Sequence, residues 1–250
     1  MRKLLFAAAL LLCLCSCERK GFSAYSWEYH ELDASYDRGG NAAVQEAIAK
    51  YDSLMGPLQE IVCYSKAVYD KEAPESAFSN FAADALRQFA EEYSEQKIDI
   101  GLLNFGGIRA EMPKGAVRVY DMMSIFPFEN FVTVLDVEGS GLKRMFNKMA
   151  SRGDVEVLSG VRLKIDDTNL VECLVGGKPI DAIKIYSVAT IDFLVTGGDG
   201  IDFGNSVLVR CDTNVLLRDA ITYVLRKKLA AGETLDLKRD GRIVMINQNK

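Results

Sequence analysis

The chain has 250 residues, 49% of them hydrophobic and 26% charged, with 20 glycines and 5 prolines. These proportions exclude a disordered, collagenous or multi-pass membrane protein and fit one substantial globular domain or two small ones. The net charge of −5 comes without a basic stripe, which argues against a nucleic-acid polymer as partner, and the single histidine, His30, leaves little room for an imidazole-built metal centre or catalytic triad.

Residues 1 to 16 read as an export signal. Arg2 and Lys3 supply the positive start, and Leu4 to Leu14 an apolar core too short to span a bilayer comfortably. Leu14-Cys15-Ser16-Cys17 follows, a small residue directly before a cysteine, which resembles the bacterial lipoprotein box and makes Cys17 the candidate lipidation site. Removal of the signal leaves 28 basic against 35 acidic residues, so the exported body is acidic. A lipid tether accounts for membrane attachment better than a polybasic patch would. The expected location is exported, anchored on the periplasmic face or the cell surface. Residues 17 to 40 read as a tether and N-terminal extension, and residues 41 to 250 as one domain. Cys63, Cys173 and Cys211 match no metal knuckle in their spacing and read as core residues.

Asn41 reads as the N-cap of a helix through Ala42, Val44, Ala47, Ile48 and Tyr51, ended by Gly56-Pro57. A strand is predicted at Ile61 to Tyr64. The next helix runs from about Ser76 to Tyr93, with Phe78, Phe81, Ala82, Ala85, Leu86 and Phe89 on its buried side. Ile98 to Leu103 reads as a buried strand leading to Asn104 and a Gly106-Gly107 turn. Val117 to Tyr120 and Phe131 to Val137 read as further strands, and Ser140 as the cap of a helix that buries Leu142, Met145, Phe146 and Met149. Val161 to Ile165 and Leu170 to Val175 flank Asp166-Asp167-Thr168-Asn169 as a hairpin. A strand at Lys184 to Val188, a glycine-rich loop, a helix from about Thr213 to Leu229 and a strand at Arg242 to Ile246 complete the chain. Crossovers mixed with hairpins predict an α+β fold with mixed sheets.

Three segments carry chemistry. In Asn104-Phe105-Gly106-Gly107-Ile108-Arg109 a buried strand ends in an amide, with an arginine emerging beside two glycines, a geometry suited to an anion or a polar ligand edge. Phe126-Pro127-Phe128-Glu129-Asn130 places two aromatics around a proline, Phe126 reading as core. Asp192-Phe193-Leu194-Val195-Thr196-Gly197-Gly198-Asp199-Gly200 carries an aromatic and then a carboxylate in a glycine-rich loop.

In this order, together with Asn80-Phe81-Ala82-Ala83-Asp84-Ala85 and the closing Asp240-Gly241-Arg242-Ile243, these segments resemble the C-terminal domain of the 5'-nucleotidase and UDP-sugar hydrolase family across residues 41 to 250. The resemblance implies that family's four-layer α/β/β/α arrangement, with helices on the outer faces. It also implies a nucleoside or nucleotide site in which Phe128 and Phe193 sandwich the base, and Asn104 and Asn130 lie near the base or sugar. Arg109 would face the ribose and phosphate side, and Asp199 would accept hydrogen bonds from the ribose hydroxyls.

The sequence departs from the family where phosphate would be held. Lys71, in Lys71-Glu72-Ala73-Pro74-Glu75-Ser76, stands where an arginine is usual, and lysine lacks the forked donor geometry. Glu129 and Phe105 each replace a common glycine. Nucleosides are therefore expected to bind about as well as nucleotides. Full-length members cleave phosphate esters with a separate metallophosphoesterase domain whose two metals are held by Asp, Asn and several His. No catalytic residue or metal cofactor is assigned to this chain. The expectation is a recognition subunit, inactive as a hydrolase alone, that works with a separately encoded metallophosphoesterase supplying the divalent metals; the alternatives are a surface lipoprotein that binds nucleosides or nucleotide sugars without a catalytic partner, or a domain that has lost its ligand.

Overall fold

The computed structural model describes Ser26, Glu28, Tyr29 and residues 41–247. The predicted export signal, Cys17, His30 and most of the predicted tether lie outside the described residues. The chain divides into two compact units, Met1–Lys50 and Tyr51–Lys250. Helix α1 (Ala42–Met55) begins as the sequence predicts, with the Ala43 N–H donating to Asn41 Oδ1 at 3.0 Å. Val44, Ile48, Tyr51 and Met55 fall at helical spacing and are exposed. A 3₁₀ turn, Gly56–Gln59, follows.

The remaining elements in chain order are β1 (Ile61–Ser65), α2 (Ala77–Ser94), β2 (Ile100–Leu103), β3 (Gly115–Arg118), α3 (Val119–Ile125), β4 (Phe131–Glu138) and α4 (Gly139–Arg152). Then come β5 (Val157–Ser159), β6 (Val161–Asp166), β7 (Asn169–Val175), β8 (Lys178–Pro179), β9 (Ile185–Ile191), α5 (Asp192–Val195), β10 (Val207–Leu216), α6 (Leu217–Ala230), β11 (Thr234–Leu235) and β12 (Ile243–Ile246). They build three mixed sheets with strand orders β11-β1-β3, β10-β4-β9-β2-β5 and β12-β6-β7-β8. The α+β class with mixed sheets is the one predicted.

Helix α2 packs on β2, β5 and β9 and lies beside α6, while α4 packs against β4 and β7. The start of α2 is a reciprocal cap: the Ser79 N–H donates to Ser76 Oγ and the Ser76 N–H to Ser79 Oγ, each at 2.9 Å. All six of its predicted inward residues are buried; each large apolar side chain among them contributes about 1.5 to 3 kcal/mol.

Four local expectations are corrected. Ser140 is not a cap: α4 starts at Gly139 with Glu138 in the N-cap position, and its first two N–H groups are satisfied by backbone, Gly139 donating to Lys184 O at 2.8 Å and Ser140 to Ala182 O at 2.9 Å. Tyr120 belongs to a helix, because Asp121 Oδ2 accepts the Arg118 N–H at 2.7 Å and turns the chain into α3. Residues 213 to 216 continue β10 rather than opening a helix. Asn214 takes a left-handed conformation (φ 58°) that shifts the register without ending it, and Leu216 pairs with Phe131. Finally, Cys63 is buried and Cys173 half-buried, but Cys211 is exposed on β10, the sheet's edge strand, and is not a core residue.

Candidate functional site

The central five-stranded sheet positions the first segment. All four residues of β2 are buried, and where the strand ends Asn104 is still buried, its side chain turned toward the glycine-rich loop. Asn104 Nδ2 donates to Asp199 Oδ2 at 2.6 Å, joining residues 95 positions apart. Phe105–Gly107 forms a 3₁₀ turn that wraps the Asn104 amide. A Cβ on Gly107 would lie 2.7 Å from Asn104 Oδ1, so only glycine lets the turn come this close. Opposite it, Lys71 Nζ donates to the Phe105 carbonyl at 2.9 Å and to the Ile108 carbonyl.

The second segment is tied to the first through backbone, the Arg109 N–H donating to Ile125 O at 2.8 Å. Phe126 is buried against Phe78, with ring centroids 6.4 Å apart, and so is the core residue expected. It anchors the short loop that leaves Phe128 48% exposed. The Arg109 guanidinium lies 5.8 Å from the Phe128 ring centroid, within cation–π range, and its Nη1 donates to Gly106 O at 3.2 Å. Glu129 is exposed beside it.

The third segment is built on Asp192, whose Oδ1 accepts the Phe131 N–H at 3.0 Å and the Phe193 N–H at 2.8 Å. That carboxylate locks α5 to the start of β4 and fixes the root of Phe193, itself 40% exposed. The Phe193 ring lies over Gly198 so closely that a Cβ there would be 2.4 Å from the ring. Asp199 follows in a left-handed conformation (φ 50°), and Arg152 Nη1 donates to the carbonyls of Asp199 and Gly200, each at 3.3 Å.

Asn104, Gly106, Phe128, Asn130, Phe193 and Asp199 together line one cavity of about 240 Å³. Five of the six binding residues singled out from sequence thus meet in one place. The sixth, Arg109, does not line the cavity but lies over Phe128. At this volume the space falls a little below the roughly 300 to 1,000 Å³ usual for whole drug-sized ligands. A larger concavity, about 590 Å³, lies at Asp84, Arg87, Arg162, Asp240 and Arg242, and its acidic and basic groups largely neutralise one another.

Residues 55–205 match the family described as 5'-nucleotidase, C-terminal domain. The chain belongs to this family. Among curated relatives it is similar to an apyrase of Tabanus yao, 28% identical over a 172-residue alignment that covers 56% of this chain and 30% of that protein. It is also similar to the protein UshA of Salmonella pullorum, 30% identical over 106 residues, 41% of this chain and 19% of that one. The chain therefore spans less than one third of these relatives' length. Among solved structures, the 5'-nucleotidase precursor of Thermus thermophilus superposes with a TM-score of 0.70 at 23% identity, over 83% of this chain and 44% of that one, which establishes the shared fold.

Two further features of this 5'-nucleotidase C-terminal domain stand near the cavity or carry the motifs. Glu156, which sequence reasoning passed over, is only 5% exposed, and its Oε2 accepts the Phe105 N–H at 2.9 Å. Burial pushes its pKa up to about 7, the Phe105 N–H opposes the rise, the charges of Asp154 and Asp199 add to it, and Arg152 opposes it. The one available signal was an acid in the otherwise apolar run from Val155 to Leu158. The two remaining family segments meet 158 positions apart: Arg242 forks onto both oxygens of Asp84 at 2.8 and 3.0 Å and also binds Asp240. Asn80 Nδ2 donates to Glu75 Oε1 at 2.7 Å, the oxygen that also accepts the Asp240 and Gly241 N–H groups. These motifs form a clasp that closes the fold. Among the described residues no group of three His, Cys, Asp or Glu side chains is placed to hold a metal ion.

Proposed function

We propose that this chain is a nucleoside- or nucleotide-recognition domain that works with a separately encoded metallophosphoesterase, held at a membrane through a lipid on Cys17. The observation that carries the reading is the convergence of Phe128 and Phe193, from loops far apart in sequence, on one cavity shared with the Asn104–Asp199 pair. Half-exposed phenylalanines offer apolar faces to a flat heterocycle, and each stacking contact contributes roughly 1 to 3 kcal/mol with little regard to which base is bound. Asp199, held by Asn104 on one oxygen, keeps a second oxygen for vicinal ribose hydroxyls. The relatives named apyrase and UshA support a nucleotide-type ligand.

In this reading phosphate-ester cleavage, with its divalent metals, belongs to the partner. This chain contributes binding energy and orientation, which raise the rate by presenting the scissile ester in a reactive pose. The test is kcat/KM for AMP of a purified cognate phosphoesterase with and without this chain. A rise of about tenfold or more is expected; equal values contradict the two-chain enzyme. Ribose recognition is tested separately, since adenosine should bind more tightly than 2',3'-dideoxyadenosine to the wild type and equally to Asp199→Asn.

A further inference from the structure

Strands β2 and β5 run antiparallel with Leu103 opposite Val157, so the residues just beyond, Asn104 and Glu156, sit side by side at the end of the sheet. The peptide turn that follows Asn104 is gripped on both its polar faces. Buried Glu156 accepts the Phe105 N–H, and half-buried Lys71 donates to the Phe105 and Ile108 carbonyls. Neither side chain lines the cavity; the residues of the turn do. The backbone between Asn104 and Ile108 is thus bonded to a carboxylate through the Phe105 N–H and to an ammonium through the Phe105 and Ile108 carbonyls, and Asn104 in turn holds Asp199.

We propose that Lys71 and Glu156 are positioning residues that clamp the Asn104–Ile108 turn, and that the protonation of Glu156 sets how firmly the turn presents Asn104 and Gly106 to a nucleoside. The proposal rests on the nucleoside reading for its ligand and on the turn geometry alone for the clamp. An ionised carboxylate is a stronger acceptor than a neutral one, so the Phe105 amide is held more tightly as pH rises. The charged groups that act on Glu156 are Asp154 and Arg152 on its own segment and Asp199 on the glycine-rich loop. Arg152 is engaged with the Asp199 and Gly200 carbonyls, and Lys71 with the turn itself. Among the described residues, Glu156 thus has no ion-pair partner to pin it in the charged form, and its titration range, with a midpoint near 7, is accessible to the folded protein.

For Lys71 the clamp makes a prediction opposite to that of a phosphate grip. Both of its observed bonds go to backbone carbonyls, so Lys71→Met should weaken adenosine and AMP by the same factor. A phosphate grip would weaken AMP alone.

The experiment uses the full chain in two arms. In the ligand-free arm, ¹H–¹⁵N NMR follows the Phe105 backbone amide and the Asn104 side-chain amide from pH 5.5 to 8.5. Both should shift with one midpoint near 7 in the wild type and stay flat in Glu156→Gln; shifts absent from the wild type, or kept in the variant, overturn the clamp. In the second arm, calorimetry measures adenosine and AMP at pH 5.5 and 8. Wild-type affinity for both should rise about fivefold with pH, the difference between a charged and a neutral acceptor, and Glu156→Gln should lose this dependence. Affinity that falls or stays level with pH overturns the proton linkage, and selective loss of AMP in Lys71→Met overturns the role of Lys71. Adenosine binding at no pH would refute the nucleoside reading while the ligand-free arm still decides the clamp. The wild-type titration needs no variant to fold.

Discussion

Replacing Gly198 with alanine is expected to disable the proposed base slot without replacing any residue that would bind the ligand. A Cβ at this position would lie 2.4, 2.5 and 2.6 Å from three carbons of the Phe193 ring. Ordinary carbon–carbon contacts are about 3.5 to 4.0 Å, so the ring must retreat by roughly 1 Å or more or swing to another rotamer. Phe193 is 40% exposed, which gives the ring space to move toward solvent and out of the pose it holds in the cavity wall. Loss of one stacking face costs about 1 to 3 kcal/mol, or roughly 5- to 150-fold in Kd. Stability should scarcely change, because Gly→Ala restricts the unfolded chain and contributes about 0.4 to 1 kcal/mol in the other direction. Calorimetry with adenosine and a thermal melt, run on the same sample, separate the two effects. Undiminished affinity with an unchanged Tm would refute the claim that the Phe193 pose makes the site.

Other consequences follow from the clasp, the buried acid and the thiols. Arg242 is 8% exposed between two carboxylates that are themselves partly solvated, so Arg242→Met should lower the free energy of unfolding by about 2 to 4 kcal/mol. A urea titration showing less than about 0.5 kcal/mol would remove the clasp from the stability account. Because the folded-state pKa of Glu156 is raised, its contribution to stability is present below its unfolded value and is lost as pH rises through about 7. Glu156→Gln should therefore gain on the wild type between pH 5 and pH 8, by roughly 2 to 3 kcal/mol; parallel pH–stability curves would contradict the assignment. Exposed Cys211 should react with a thiol reagent in the native protein, whereas Cys63, whose thiol burial pushes up to about 12, should react only on unfolding. Fast native labelling of Cys63 would contradict its burial.

The sequence made α2 legible because a hydroxyl cap and an unbroken apolar face both mark it, and the hairpin between β6 and β7 because turn residues separate two alternating runs. Three segments stand out in the sequence by their glycines and aromatics, and it is the resemblance to the 5'-nucleotidase C-terminal domain that names the residues within them that line the cavity. What stayed hidden depended on partners distant in sequence. The start of α4 is satisfied by carbonyls of residues 182 and 184, which no local pattern announces. The far end of β10 continues past Asn214 only because Leu216 can pair with Phe131. Glu156 acquires its role from the turn after β2, more than fifty positions earlier, and Lys71 becomes a support for that turn, a contact visible only once the fold is closed.

The central claim is that Phe128 and Phe193 form one slot for a flat heterocycle. It is tested most directly by titrating adenosine into the wild type and into the Phe128→Ala, Phe193→Ala double variant by calorimetry. Both rings are exposed rather than part of the core, so the double variant should keep its Tm. The account predicts saturable single-site binding to the wild type that the double variant loses. No heat from any nucleoside with the wild type, or equal binding by the two proteins, would contradict it.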